Sequence, residues 1–179
     1  QLPILRQATN VNPLLHKGYL LLTPDGPTPT PSSTPTPWTI SRECEYPDEG
    51  TVGQMSQRSN ASGSEVYGQF GTVPDWPEKS GYVKYNNLNI PQIDHLYLIL
   101  RYSKYSPSSV PILVFIDNES TPRATIYPRD QGDWNNFVWA EPILLGNLES
   151  GVHSIKFYTE GQQYGVADLD KFVLAAGSR

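Results

Sequence analysis

Glu43-Cys44-Glu45 sets two carboxylates two residues apart in a stretch, Trp38 to Tyr46, that reads as a strand. Residues two apart on a strand point to the same side, so Glu43 and Glu45 project together and Cys44 faces the other way, toward the core. Like charges side by side repel unless something positive lies between them. A hard cation with oxygen ligands, most simply Ca²⁺, would resolve this; a pair of solvated glutamates on an edge strand is the alternative. Asp168-Leu169-Asp170 repeats the pattern at the opening of the last strand, where Asp is common for turn reasons alone.

Other chemistry finds little support. His16, His95 and His153 are scattered over the chain, and no Ser or Cys sits in a nucleophile-like turn beside a base. Glu43 and Glu45 resemble a glycosidase acid/base pair only in being two nearby carboxylates, and one strand of a small module is a poor place for one. The expectation is a protein that is not an enzyme. Trp76, between Asp75 and Pro77, reads as a loop aromatic that makes a contact. Trp139, in the middle of an expected strand, reads as core.

The elements that would position these residues are short strands. Beside Trp38 to Tyr46, the candidates are Glu65 to Phe70, Gly81 to Leu88, His95 to Tyr102, Val110 to Asp117, Ala124 to Tyr127, Asn136 to Leu145, His153 to Thr159 and Leu169 to Ala175. In the eighth, Ile155 and Phe157 share a face; in the third, Lys84 points away from Val83 and Tyr85. Turn signals such as Ser106-Pro107, Asp117-Asn118 and Ser150-Gly151 separate them. Many short strands at near-regular spacing, with no helical period, mean an all-β sandwich or jelly roll over 38–179.

Thr23 to Pro37, TPDGPTPTPSSTPTP, is a Thr/Pro/Ser-rich linker. Proline removes a backbone donor and fixes φ, so this stretch reads as a stiff, extended spacer of the kind found on secreted and cell-surface proteins. Before it lies an apolar arm, 1–22, in which Tyr19, Leu20, Leu21 and Leu22 would be apolar on both faces of an extended strand. Such a segment is too short to cover itself and is a candidate to complete the sheet of another copy. The chain opens without an initiator Met or a leader pattern, so a mature, processed, extracellular product is expected. A single Cys allows no internal disulfide. The formal net charge of −5 argues against nucleic acid and anionic membranes, and no run is long enough to span a bilayer.

The order of short motifs along 38–176 resembles the carbohydrate-binding modules of families 6 and 35, which are β-jelly rolls of the galactose-binding-like type. The motifs are Glu43 and Glu45, Gly81-Tyr82-Val83-Lys84-Tyr85, Leu100-Arg101-Tyr102, Phe115-Ile116-Asp117, Gly132-Asp133-Trp134, Gly151-Val152-His153-Ser154-Ile155 and Asp168-Leu169-Asp170-Lys171-Phe172. The resemblance implies a structural Ca²⁺ on Glu43, Glu45 and Asp170. It also implies a sugar site with Trp134 as platform and Tyr67 or Trp76 as the opposing ring. Asp168 stands there where the family usually has Asn. Trp134 as a ring that only covers the sandwich edge is the alternative.

Two functions follow. The first is a structural subunit of an extracellular filament or surface assembly, joined head-to-tail to other copies of itself by the arm, a homopolymer. The second is a carbohydrate-binding module that targets a secreted enzyme or cell-surface protein to polysaccharide.

Overall fold

Alternation fixes which way each strand faces. In β5 (Gly81–Ile90) Val83 and Tyr85 are buried and Lys84 between them is not; in β11 (Gly151–Thr159) Ile155 and Phe157 share the buried side, as the sequence requires. The computed structural model describes residues 38–50, 54–70, 81–160 and 165–177. The arm with Tyr19, Leu20, Leu21 and Leu22, the linker 23–37 and Trp76 lie outside the described residues.

Two sheets face each other. The first orders β10 (Ile143–Leu148), β6 (Ile93–Lys104), β12 (Ala167–Ala176), β4 (Glu65–Phe70) and β3 (Gln54–Gln57), with β1 (Thr39–Glu43) also on β12 and β9 (Asp133–Trp139) also on β6. The second runs β2 (Glu49–Gly50), β5, β11, β7 (Ile112–Ile116) and β8 (Ala124–Ile126). β12 is the spine of the first sheet. One edge lies along β6 from Asp168 to Ala176; the other is shared by β4 at Ala167–Leu169 and β1 at Lys171–Ala175.

The expected strand Asn136 to Leu145 is two strands that run in tandem along β6. Trp139 pairs with Arg101 and Ile143 with Leu98, and the break falls at Ala140-Glu141-Pro142, where proline cannot donate to the ladder. Trp139 is also not core. It is 49% exposed, because its partner Arg101 lies on the outer side of β6 and directly opposed residues share a face. β2 and β3 carry no apolar alternation and have no sequence signal. The helical content among the described residues is one 3₁₀ turn, Ser62–Ser64.

The sheets are joined by an aromatic trio. Phe172 from β12 lies 5.0 Å from Tyr85 and 5.5 Å from Phe157, which are themselves 6.0 Å apart, all in tilted or edge-on arrangements. The Tyr85 hydroxyl donates to the Cys44 carbonyl at 2.8 Å, so even the polar atom of the trio is satisfied. Phe172→Ala is expected to cost about 3–5 kcal/mol of folding free energy, by transfer and cavity terms together. Tyr85→Phe should cost about 1–3 kcal/mol, since it strands a buried carbonyl. Denaturant unfolding of the two variants checks both values and their order.

Candidate functional site

The carboxylates picked out by spacing gather where β1 leaves the sheet and β12 enters it. Glu43 is opposite Lys171 in the ladder, and its Oε1 accepts from Lys171 Nζ at 2.8 Å and from the Ser62 hydroxyl at 3.0 Å. β1 ends at Glu43, yet Cys44 N–H still donates to the Asp170 carbonyl at 2.8 Å. That bond keeps the alternation going one residue further: Cys44 is fully buried on the core side, and Glu45 turns back toward Glu43. Glu45 is only 7% exposed, and its Oε2, like Glu43 Oε2, is buried with no partner among the described residues. Burial, and after it the negative charges of Glu43 and Asp170, push the Glu45 carboxyl above its ordinary range.

Asp170 is fully buried but not alone. Oδ2 is paired with the Arg101 guanidinium and Oδ1 accepts from Ser62 N–H at 2.8 Å. Burial still pushes its pKa up, against the pull of Arg101 and Ser62. Among the described residues no three Asp, Glu, His or Cys side chains close into a ready ion cage. Two orphaned oxygens on Glu43 and Glu45 therefore face a third carboxylate that already has a cation.

The other half of the last-strand pair, Asp168, is equally buried and meets a different arginine. Arg58 Nε and Nη2 both reach Asp168 Oδ2 at 2.7 Å. A fully buried, ion-paired carboxylate cannot meet a ligand directly, so Asp168 supports the site from below and is not part of a binding surface. Arg58 in turn stands over the Trp134 ring, 5.9 Å from its centroid. The half-buried Trp134 is fixed from its backbone too, through its carbonyl to the buried Ser103 hydroxyl at 2.7 Å.

The loop that carries Arg58 is tied to β9 next to Trp134. Asn135 Oδ1 accepts from Ser59 N–H at 3.2 Å and from its hydroxyl at 3.3 Å, and Asn60 Nδ2 donates to the Asn135 carbonyl at 3.0 Å. Arg101 Nη2 donates to the Asn60 carbonyl at 3.1 Å, while its guanidinium lies 5.1 Å from the centre of the Phe137 ring. Trp134, Asn60 and Asn135 thus form one edge, with Arg58 and Arg101 beneath it.

Tyr67 does not belong to that edge as an open ring. It is 8% exposed and packs edge-on against Phe70 at 6.4 Å, because its ring belongs to the core between the sheets and its hydroxyl lies close to Gly50 of β2 in the opposite sheet. Arg58 and Arg101 are the residues that spacing did not find. Their one sequence signal is indirect: two aspartates entering a buried strand require cations from somewhere.

No family model matches the chain, and no curated protein does. Among solved structures, it is similar to an exo-β-1,3-galactanase from Phanerochaete chrysosporium solved with galactose, at 25% identity and a TM-score of 0.60 over 76% of this chain. The chain spans 29% of that enzyme's length. A family 35 carbohydrate-binding module from Clostridium thermocellum matches at 18% identity and a TM-score of 0.60, covering 78% of this chain and 99% of that one. The C-terminal family 6 module of a marine laminarinase from Zobellia galactanivorans matches at 14% identity and a TM-score of 0.59, covering 76% and 98%. The described residues therefore have the β-jelly-roll fold of the family 6 and family 35 carbohydrate-binding modules.

Proposed function

We propose that this module is a non-catalytic, extracellular saccharide-binding unit that stacks a neutral sugar on Trp134. The observation that carries the reading is the Trp134 edge: a half-buried indole held from below by Arg58 and from its backbone by Ser103, with the amides of Asn60 and Asn135 beside it. A sugar presents a flat C–H face to an aromatic ring and hydroxyls to amides. Arg58 takes one side of the indole and its charge is balanced by Asp168, so the edge is rigid and close to neutral. The similarity to a β-1,3-galactanase makes β-1,3-galactan the first polysaccharide to test.

Calcium fits the carboxylate corner by its chemistry. Glu43 Oε2 and Glu45 Oε2 are buried acceptors without donors, which is what a hard cation needs. Glu43 and Glu45 would hold the ion, and Asp170 Oδ1, which has one N–H donor, would be the third oxygen. Bound there, Ca²⁺ supplies positive charge that pins β1 to β12. Nothing reacts at it.

Affinity electrophoresis of the whole chain through β-1,3-galactan, laminarin and xylan should show retention on at least one, reduced about tenfold or more by Trp134→Ala. Free passage of the parent protein through all three gels overturns the sugar reading. For the ion, calcium at about a hundred times its Kd should stabilise the parent by about 2.7 kcal/mol relative to chelator. The raised Glu45 carboxyl gives the sign of a control: the native state holds that proton more tightly than the unfolded chain, so without metal its contribution falls as pH rises above the ordinary carboxylate range. Glu45→Gln should therefore melt about 2–4 °C above the parent in chelator at pH 7 and lose the response to calcium. A parent indifferent to calcium, measured by thermal unfolding, refutes the ion.

A further inference from the structure

We propose a second saccharide site, in the cleft between the end of β8 and the break that separates β9 from β10; the proposal builds on the sugar-binding reading above. The cleft has a volume of about 590 Å³, within the ~300–1,000 Å³ usual for small-molecule sites. Its floor is apolar, from Ile126, Val138 and Ile143. Its lining also includes two aromatic residues that the fold leaves in water, Tyr127 at 68% exposure and Trp139 at 49%.

Exposed rings of this size have no role in the core, and the backbone holds both in place. Ile126, just before Tyr127, pairs with Ile112, and the carbonyl of Pro128, just after it, accepts from the buried Lys104 Nζ at 3.0 Å. Trp139 pairs with Arg101, and Ala140 N–H donates to the Leu100 carbonyl at 2.7 Å. With the backbone fixed, each ring has only its own two side-chain torsions to lose on meeting a ligand, a low cost for a stacking platform. The floor also offers a donor. Tyr102 is 4% exposed; its hydroxyl accepts from Arg129 N–H at 3.0 Å, and its own proton has no acceptor among the described residues. Asp130 and Glu141 line the cleft against one guanidinium, Arg129. Two carboxylates accept hydroxyl protons and disfavour an anionic ligand, so the occupant is a neutral oligosaccharide. Trp134 is not among the lining residues, so this is a separate site.

The test is calorimetric titration of the whole chain with neutral hexose trisaccharides of α-1,4, β-1,4 and β-1,3 linkage, on the parent, Trp134→Ala and the double variant Tyr127→Ala/Trp139→Ala. The proposal expects at least one trisaccharide whose binding loses one site per chain, or tenfold or more in affinity, in the double variant. Tyr102→Phe, which keeps the ring and removes the hydroxyl that donates into the cleft and accepts from Arg129 N–H, should weaken the same binding several-fold, and the Trp139 indole N–H resonance of the parent should shift on titration. These last two readouts stand even if the double variant unfolds. Binding that is unchanged in the double variant and in Tyr102→Phe, with an unmoved Trp139 signal, overturns the cleft and leaves the Trp134 reading standing. Binding lost only in the cleft variants and unaffected by Trp134→Ala supports the cleft and overturns the Trp134 reading. No binding by the parent overturns both.

Discussion

Two carboxylates with no exposure at all enter the module on its last strand, and each is matched by its own arginine. A buried ionised group is costly unless it is paired and hydrogen-bonded. Asp168 takes Arg58, which is 110 residues away in sequence, and Asp170 takes Arg101, 69 residues away, on the neighbouring strand. Leu169 between them fills the core. The start of β12 is therefore covered on both faces, by hydrophobic packing on one and by an ionic layer on the other. The segment 58–64 forms that second cover. Its own bonds, Arg58 N–H to Ser64 carbonyl and Ser64 N–H to Ala61 carbonyl, keep it compact, and Gly63 and Ser64 adopt positive φ to make the turn.

The ionic layer also sets the surface above it. Each arginine does two jobs at once: its charge satisfies a buried aspartate, and its flat guanidinium supports an aromatic ring on β9, Trp134 for Arg58 and Phe137 for Arg101. A lysine in either place would supply the charge without the plane. The position of Trp134 thus depends on residues that lie largely beneath the surface, and Asp168, where the modules this chain resembles usually carry Asn, makes sense in these terms. An Asn at that position would leave the Arg58 charge unbalanced under the indole; an Asp balances it.

The sequence made the two-sheet scaffold legible wherever one side of a strand faces the core. Glu65 to Phe70 falls on β4 end for end, and the alternation in β5 and β11 gave the inward residues correctly. It failed where exposure depends on a partner strand. Trp139 reads as core in the middle of its expected strand, and only the pairing with Arg101 turns it outward. Tyr67 reads as an available ring, and only the second sheet, which brings Gly50 of β2 close to its hydroxyl, covers it. The carboxylates were legible as a problem of unbalanced charge. Their solutions were not, since a guanidinium that arrives from a distant loop leaves no local pattern. Tyr127 gives no signal for the opposite reason: it ends an expected strand, Ala124 to Tyr127, that the alternation accounts for fully.

What separates buried from displayed aromatics in this module is the chain that follows them. Tyr85, Phe157 and Phe172 lie within long strands whose ladders continue on both sides, so their rings are driven into the space between the sheets. Tyr127 precedes Pro128 directly, and Trp139 precedes Pro142 by three residues. Proline ends the ladder just beyond each ring: Trp139 faces outward with its last ladder partner Arg101, and Tyr127 lies one residue past the last pair of β8. Because the strand behind it is fixed, the ring is displayed from a rigid backbone. A sheet edge interrupted in this way exposes aromatic surface at little conformational cost, and a fold whose core is already complete can carry that surface without weakening itself.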